Sequence, residues 1–324
     1  MRTPHLRTAL ILCISFLLIT QAVGQDQVAL QPQEVTRFDG SSIHYYIARE
    51  DSRVPQPIVL FIHGSDCNSI ANHPRIRQFE AVMPGAAVVY VEKYGITTSL
   101  RWSDADDRTD CPQGYLANNS PQQRVLDNLQ VIAQIRKSGA AWWNHKLVVV
   151  GGSEGAGIAE QVAALTPETQ RLIIFGFGAR RFEDDVLQSV RSGIQAKGLS
   201  YGAQEQQIGE LRSKLAEASE SRDASEFLFG YSYAWWASML AFDQLEALSS
   251  VDVPVLALQG ARDENVSVAG ARMLVNEARR RGCRIEYLEY AGLDHGFADR
   301  DGHSHLHKVI ADIAVWLKQP ESLR

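Results

Sequence analysis

The sequence predicts an α/β protein with a mostly parallel, doubly wound sheet and a helical cap insertion. Short continuous apolar runs are typical of strands that are buried on both faces of a sheet. Stretches with helical spacing of apolar residues separate these runs, and this alternation indicates parallel strands joined by crossover helices. At about residues 179–249 polar helical stretches and an aromatic cluster replace the alternation, which indicates the cap.

Length and composition are those of a globular protein, with 324 residues, 45% hydrophobic and 22% charged. Residues 1–24 have the pattern of a secretory signal peptide. Arg2 and Arg7 form a basic start, residues 9–20 form an apolar core, and residues 22–24 are small. An uncleaved anchor is the alternative. We therefore expect a secreted or periplasmic protein whose folded part spans residues 25–324.

The charge balance bears on the partners. Cleavage after residue 24 removes Arg2 and Arg7 and no acidic residue, so the formal net charge changes from −6 to −8. A negative chain is a poor partner for nucleic acid and for anionic lipid. Outside the signal segment, no stretch is apolar for long enough to span a membrane. We expect a small-molecule partner and neither nucleic acid nor membrane contact in the mature chain.

The first elements are predicted from turn residues and apolar runs. Residues 34–38 and 43–49 are predicted as antiparallel edge strands that meet at the turn dipeptide Asp39-Gly40. Two buried strands follow at residues 57–62 and 86–91, with an amphipathic helix at residues 75–83 between them. Residues 92–119 are predicted to be irregular.

A helix with clear end signals comes next. Ser120 is its predicted N-cap, Pro121 occupies the first helical position, and Gln123 completes a capping box. Gly139 ends the helix. This helix leads into the segment that carries the chemistry.

Residues 147–165 form a strand, a glycine-rich turn and a helix in immediate succession. The turn, residues 151–155, matches the pattern G-x-S-x-G, with Ser153 at its centre. In this context the pattern predicts a nucleophile elbow, which exposes the serine hydroxyl at a sharp corner. The flanking glycines let the strand and helix backbones approach each other. A chance match of five common residues is the alternative, and the strand before and helix after argue against it.

After the elbow helix, the alternation resumes on both sides of the cap. Residues 171–175 are predicted as a strand before the cap. The elements predicted after the cap are a strand at 253–259, a helix at 267–281, a strand at 284–290 and a helix at 303–318.

An activated serine needs a base, an acid that orients the base, and donors for the oxyanion. In open α/β sheets these groups lie at the carboxyl ends of strands. Asp263 and His295 each follow a predicted strand, and the chain order Ser, Asp, His is the one this architecture uses. Glu264 is the alternative acid. We expect the backbone N–H groups of Ser65 and Glu154 to form the oxyanion hole.

Taken together, these motifs resemble the α/β-hydrolase superfamily, in the branch of dienelactone hydrolases and prolyl-oligopeptidase-like enzymes, which includes exported bacterial serine esterases and peptidases. The resemblance covers about residues 34–318 and implies Ser153 as nucleophile, His295 as base and Asp263 as its orienting acid. Dienelactone hydrolases carry Cys where this chain has Ser153, which argues against that exact activity. The motifs are HGS at 63–65, GGSEG at 151–155, GARDENV at 260–266 and DHGF at 294–297.

The resulting hypothesis is an exported serine hydrolase that cleaves an ester, or a short peptide amide, without a cofactor. An acyltransferase with the same triad and a non-catalytic binding protein on the same fold are the alternatives. Glu154 beside the nucleophile could meet an amino-bearing substrate, or it could stabilise the N-terminus of the helix. The aromatic residues 231–236 could form cap core, pocket wall or both.

Three cysteines remain after residue 24. Cys67 and Cys111 lie in loops at the carboxyl edge of the predicted sheet, whereas Cys283 precedes the last strand at the opposite edge. In an oxidising compartment we therefore expect a disulfide between Cys67 and Cys111; three separate thiols are the alternative.

Two groups of metal-binding residue types lack a ligand pattern, and we expect no metal site. The groups are His303, His305 and His307, and Asp104, Asp106, Asp107 and Asp110.

Overall fold

The computed structural model describes residues 30–50, 53–103, 108–196 and 198–320. The predicted signal peptide, residues 1–24, lies outside these ranges, as do Asp104, Asp106 and Asp107. Within the described ranges, no helix combines the length and the apolar character needed to cross a bilayer.

In the described part of the chain, the centre of the fold is one eight-stranded sheet, and two short strands form a separate hairpin. The order in the sheet is first, second, fourth, third, fifth, sixth, ninth and tenth strand. The second strand is antiparallel to both neighbours, and the other adjacent pairs are parallel. The strands are β1 Pro32–Thr36, β2 Ser42–Ala48, β3 Gln56–Ile62, β4 Ala87–Val91, β5 Trp143–Gly152, β6 Thr169–Phe175, β7 Phe227–Leu228, β8 Tyr231–Ser232, β9 Val255–Gly260 and β10 Ile285–Tyr290.

Helices connect the parallel strands as crossovers, so that the carboxyl ends of these strands share one edge of the sheet. Two short 3₁₀ helices, Ile70–Asn72 and Ile76–Val82, lie between β3 and β4. The α-helices are α1 Gln113–Asn118, α2 Pro121–Lys137, α3 Glu154–Leu165, α4 Phe182–Ala196, α5 Tyr201–Glu220, α6 Tyr233–Ala241, α7 Gln244–Ser249, α8 Val268–Arg280 and α9 Leu306–Leu317.

Both faces of the sheet are covered, which explains the continuous apolar runs. In β3, Leu60 packs into the core formed with α2, α3, α7 and α8. Its neighbours Val59 and Phe61 point to the other face, where α9 and the second 3₁₀ helix cover the sheet. Because strand side chains alternate between faces, a strand that is covered on both sides carries apolar residues at every position.

The turn between β1 and β2 is longer than predicted. It spans residues 37–41 instead of the two-residue turn Asp39-Gly40. The Asp39 carboxylate accepts a hydrogen bond from the Ser41 backbone N–H at 2.9 Å, and the backbone N–H of Arg37 donates to the Ser41 carbonyl at 2.8 Å. These bonds close the wider loop, and the Arg37 side chain turns from it into the protein.

Three other local predictions are corrected. Residues 76–82 form a 3₁₀ helix, because Ile76, Phe79 and Val82 recur every three residues, the period of that helix. The segment predicted as irregular contains the short helix α1. The capping box of α2 is only half formed: Ser120 Oγ accepts from the Gln123 backbone N–H, but the Gln123 side chain bonds Asp127.

The interval predicted as the cap contains helices of two kinds. Helices α4, α5 and α6 and the β7–β8 hairpin surround an apolar cluster of their own. Helix α7 instead buries Leu245 and Leu248 in the core of the sheet. The cap cluster includes Leu187, Ile194, Ile208, Leu211, Leu215, Trp235 and Trp236.

Candidate active site

Ser153 lies at the corner between β5 and α3 in a strained conformation. Its φ is +55° and its ψ is −128°, a region that residues with a side chain rarely adopt. Its backbone N–H donates to the Phe175 carbonyl at 2.9 Å, and its carbonyl accepts from the Ala156 N–H at 2.9 Å. These bonds hold the corner in place and leave the side chain outside the helix.

The glycines of the elbow are required by close backbone approach. A Cβ at Gly151 would lie 2.2 Å from the Gly155 carbonyl oxygen, and a Cβ at Gly155 would lie 2.3 Å from the Ile62 carbonyl oxygen. No side chain tolerates such distances. The tight fit brings the end of β3, and the loop after it, next to Ser153.

Asp263 and His295 form a hydrogen-bonded pair. His295 Nδ1 lies 2.7 Å from Asp263 Oδ2, and the Asp263 side chain is fully buried while that of His295 is 22% exposed. The backbone N–H groups of Asn265 and Val266 donate to Asp263 Oδ1 at 2.9 and 3.0 Å. Glu264, the alternative acid, is exposed. The geometry therefore places Asp263 against the histidine.

The loop after β6 connects Ser153 with His295. Phe175, which accepts the bond from Ser153, is followed by Gly176, and a Cβ at Gly176 would lie 2.9 Å from the imidazole Cε1 of His295. Ser153 Oγ forms no hydrogen bond with another residue of the described ranges. In many ligand-free enzymes the bond between nucleophile and base closes only when substrate binds.

Two tyrosines hold the loop of Ser65; the sequence pattern singles out Tyr231 only as part of the aromatic segment, and Tyr115 not at all. Tyr115 from α1 and Tyr231 from the cap hairpin donate their hydroxyls to the Ser65 carbonyl at 2.7 and 3.1 Å. Within the described part of the chain, the backbone N–H groups of Ser65 and Glu154 donate to no other group. Both predicted oxyanion donors are therefore free to bind a ligand oxygen.

Comparison with known proteins finds neither a matching family model nor a matching curated protein. Solved structures do match. Est1E from Butyrivibrio proteoclasticus is 12% identical with a TM-score of 0.56, over 88% of this chain and 97% of its own. A thermostable carboxyl esterase from Bacillus coagulans is 16% identical with a TM-score of 0.58, over 90% and 98%. An acylaminoacyl peptidase from Pyrococcus horikoshii is 11% identical with a TM-score of 0.56, over 91% and 43%.

The mostly parallel eight-stranded sheet with its helices matches the fold of these neighbours. An antiparallel second strand precedes a parallel series, and a glycine-lined corner follows β5. The chain has the α/β-hydrolase fold. Within this fold, Ser153, Asp263 and His295 follow β5, β9 and β10, at the edge where the carboxyl ends of the parallel strands meet.

A small apolar cavity opens beside Ser153 under the cap. Its volume is about 80 Å³. Trp235 lines the cavity and also belongs to the cap cluster, so both interpretations of the aromatic segment hold for this residue. The other apolar lining residues include Phe177, Phe182, Met239 and Phe242.

His295 lines a second concave region, an open groove of about 420 Å³. A third concave region, of about 350 Å³, lies between the disulfide and the tip of the cap hairpin. Ser65 borders both this third region and the cavity beside Ser153, so these two concave surfaces meet at Ser65.

Buried charges lie next to the loop that carries Ser65. The Arg124 guanidinium donates to Glu154 Oε1 at 2.9 Å, and the two side chains are 4% and 3% exposed. The Lys93 ammonium is fully buried against Asp66, and burial lowers the pKa of Lys93. Burial, together with the nearby Lys93 and Arg124 cations, holds the pKa of His63 well below its usual range.

Cys67 and Cys111 form a disulfide with a Cα–Cα distance of 5.8 Å, the pair that the strand-edge argument predicts. Cys283 is a free thiol at the opposite edge of the sheet. The bond joins the loop after β3, which carries Ser65, to the long loop before α1.

A group of side chains that could hold a metal ion lies on the loop after His295. Ligand atoms of Asp299, Asp301 and His303 lie within 4.8 Å of one another. His305 instead pairs with Asp299 at 2.9 Å, and this bond contributes most to lowering the pKa of Asp299 to about 2. Of the histidines weighed in the sequence, only His303 belongs to this group, and Asp110 pairs with Arg108 at 2.7 Å.

Proposed function

We propose that this protein is a serine hydrolase that cleaves an ester through an acyl-enzyme on Ser153. The observation that carries the proposal is the 2.7 Å pair of His295 and the buried Asp263 beside a strained serine corner. The esterases and the peptidase among the structural neighbours support the same class of reaction. The resemblance to the dienelactone-hydrolase and prolyl-oligopeptidase-like branch belongs to this proposal.

In this proposal each group has a role. Asp263 accepts a hydrogen bond from the Nδ1–H of His295, which leaves Nε2 as the basic nitrogen. His295 takes the Ser153 proton as Oγ attacks the acyl carbon, and the N–H groups of Ser65 and Glu154 stabilise the oxyanion. The histidine then protonates the leaving alcohol. Water repeats the sequence on the acyl-enzyme, so that the acid is released and Ser153 is regenerated.

The cavity beside Ser153 indicates the size of the acyl group. At about 80 Å³ it is far smaller than the roughly 300–1,000 Å³ of sites for drug-sized ligands. Its aromatic and apolar walls favour a short apolar acyl chain. The open groove at His295 leaves room for a larger leaving group, because the histidine must reach the leaving oxygen to protonate it.

Glu154 is a poor candidate for recognising an amino-bearing substrate. Its carboxylate is buried and already paired with Arg124 at 2.9 Å. The proposed substrate is therefore a neutral small-molecule ester, with a short peptide amide as the alternative. Export also belongs to the proposal, since residues 1–24 have a signal pattern and a disulfide persists in oxidising compartments.

The decisive test is a substrate screen on purified residues 25–324. Esters of graded acyl length should be hydrolysed with highest kcat/KM at two to four acyl carbons, and aminoacyl amides more slowly. Transfer of the acyl group to added alcohols, at the expense of hydrolysis, would identify an acyltransferase. No turnover of any acyl compound by folded protein would contradict the proposed function.

A further inference from the structure

Arg124 contacts both sides of the proposed oxyanion hole. Besides Glu154 Oε1, its guanidinium donates to the His63 carbonyl at 2.5 Å and lies 3.4 Å from the Gly64 carbonyl. These carbonyls directly precede Ser65, one of the proposed donors. Glu154 supplies the other donor through its own backbone N–H. One side chain from α2 therefore ties together two segments, the end of β3 and the start of α3.

The packing around these segments leaves little freedom. Gly64 rests against the elbow, since a Cβ there would lie 3.2 Å from Ser153 Cβ. On its far side, Ser65 is held through its carbonyl by Tyr115 and Tyr231. Arg124 donates hydrogen bonds to main-chain carbonyls of the same loop. A planar guanidinium with several donors can bind these carbonyls together, whereas a single ammonium cannot.

The ion pair of Arg124 with Glu154 is also important for the reaction, because Glu154 carries a negative charge. Its carboxylate is 3% exposed and belongs to the residue whose N–H would meet the oxyanion. A buried negative charge so close to a developing oxyanion raises the energy of the transition state. Glu154 Oε2 has no hydrogen-bond partner in the described part of the chain, and Arg124 is its direct ion-pair partner.

Resting on the proposed function, we propose that Arg124 is a positioning residue for acyl transfer. It holds the N–H groups of Ser65 and Glu154 in register and neutralises the Glu154 carboxylate beside the oxyanion. It does not touch the substrate. Its effect is therefore on kcat, in both acylation and deacylation, because each step passes through an oxyanion in the same hole.

A matched control exists on the same helix. Arg37 and Asp127 form a buried pair with two bonds of 2.8 Å and side-chain exposures of 3% and 2%. This pair closes the β1–β2 turn against α2, and in the described part of the chain its hydrogen bonds reach no residue of the proposed site. Replacing this pair removes a buried ion pair but leaves the proposed oxyanion donors in place, so it distinguishes the two effects.

The experiment compares Arg124→Gln, Arg124→Gln/Glu154→Gln and Arg37→Gln/Asp127→Asn with the unaltered chain, using p-nitrophenyl butanoate. Rates are expressed per Ser153 labelled by a fluorophosphonate at completion, so that misfolded protein does not count. We expect Arg124→Gln to lower kcat by about 10²–10³-fold, as for loss of an oxyanion donor, with KM within about threefold. Arg124→Gln/Glu154→Gln should have a kcat about tenfold higher than that of Arg124→Gln and still below that of the unaltered chain. Arg37→Gln/Asp127→Asn should keep the kcat of the unaltered chain.

If Arg124→Gln does not fold, the charge-balanced double variants are compared directly, and the proposal requires the site pair to be at least about tenfold slower than the control pair. Equal kcat in these two variants, or an unchanged kcat in Arg124→Gln, would overturn the positioning role. Absence of both labelling and turnover in the unaltered chain would instead overturn the proposed function, and the inference with it.

Discussion

Each edge of the sheet has a buried arginine, at least one cysteine and a cavity, but the contacts that these groups make differ between the two edges. At the amino edge, Arg171 stacks on Trp316 at 4.9 Å, the thiol of Cys283 is free, and a cavity measures about 240 Å³. At the carboxyl edge, Arg124 pairs with a carboxylate, the cysteines are joined, and the cavity beside the elbow measures only about 80 Å³. The cavity at the amino edge is therefore larger than the one beside Ser153, but the open regions at His295 and at the disulfide, about 420 and 350 Å³, lie at the carboxyl edge.

The difference teaches that topology determines which edge gathers the proposed site residues. Strands β3, β5, β9 and β10 run in the same direction, so the loops that follow them meet at one edge. These loops supply Ser65, Ser153, Asp263 and His295. The loops at the amino edge enter the strands and bring together mainly packing residues. Substitutions at the carboxyl edge should therefore cost activity, and those at the amino edge should not.

The largest expected effect is that of Ser153→Ala. Removing the nucleophile should lower kcat by about 10⁴–10⁶-fold, by analogy with other triads. Cys283→Ala at the amino edge serves as the matched control and should retain turnover within about twofold. Steady-state hydrolysis of a short-chain ester measures both. Comparable activity in the two variants would remove the distinction between the edges.

Asp263→Asn should lower kcat by about 10⁴-fold, because an amide at this position favours the wrong tautomer of His295. Glu264→Gln, one residue along and exposed, should change kcat by less than about threefold. The same ester assay measures both variants. A greater loss from Glu264→Gln would mean that the wrong acid has been assigned.

Cysteine substitutions at the two edges should differ in their effect on the free energy of unfolding. The bond between Cys67 and Cys111 closes a loop with a sequence separation of 44, for which chain entropy predicts about 4 kcal/mol of stabilisation. Cys67→Ser/Cys111→Ser should lower the free energy of unfolding by up to this amount and reduce turnover, since the bond steadies the loop of Ser65. Cys283→Ser should change the free energy of unfolding by less than about 1 kcal/mol. Urea unfolding with a parallel ester assay distinguishes these outcomes.

The smallest expected effect is a pH dependence of the free energy of unfolding that comes from Asp185. It lies in α4 of the cap and accepts the N–H groups of Ala179 and Ser267, and its burial raises its pKa from 3.8 to about 7. The folded protein therefore binds more protons than the unfolded chain between pH 4 and 7. As a result, the free energy of unfolding should fall by about 2 kcal/mol from pH 5 to 7 through this group. Asp185→Asn should lose this contribution in urea unfolding at both pH values; an unchanged slope would contradict it.

The sequence predicts most of the sheet and the candidate site residues because both depend on local patterns. Apolar runs locate β3 and β9, and the glycines of residues 151–155 mark the corner at Ser153. Asp263 and His295 can be located because each lies in the loop after a strand. The disulfide follows from the edge at which its two loops emerge.

The groups that support the site cannot be located in this way. Arg124 contacts residues 30 and 61 positions away, and Tyr231 reaches the Ser65 carbonyl from 166 positions away. Such contacts depend on how α2 and the cap pack, and no local spacing encodes them. The 3₁₀ helix at Ile76–Val82 shows the related difficulty that a three-residue period also fits part of an α-helix.

The central claim is that His295 and Asp263 activate Ser153, and covalent labelling tests it most directly. Folded residues 25–324 are treated with a fluorophosphonate, and the site of the adduct is mapped by peptide mass spectrometry. The account predicts a single adduct on Ser153, lost in Ser153→Ala and formed much more slowly in Asp263→Asn. An adduct on another residue, or none on Ser153 of folded protein, would contradict it.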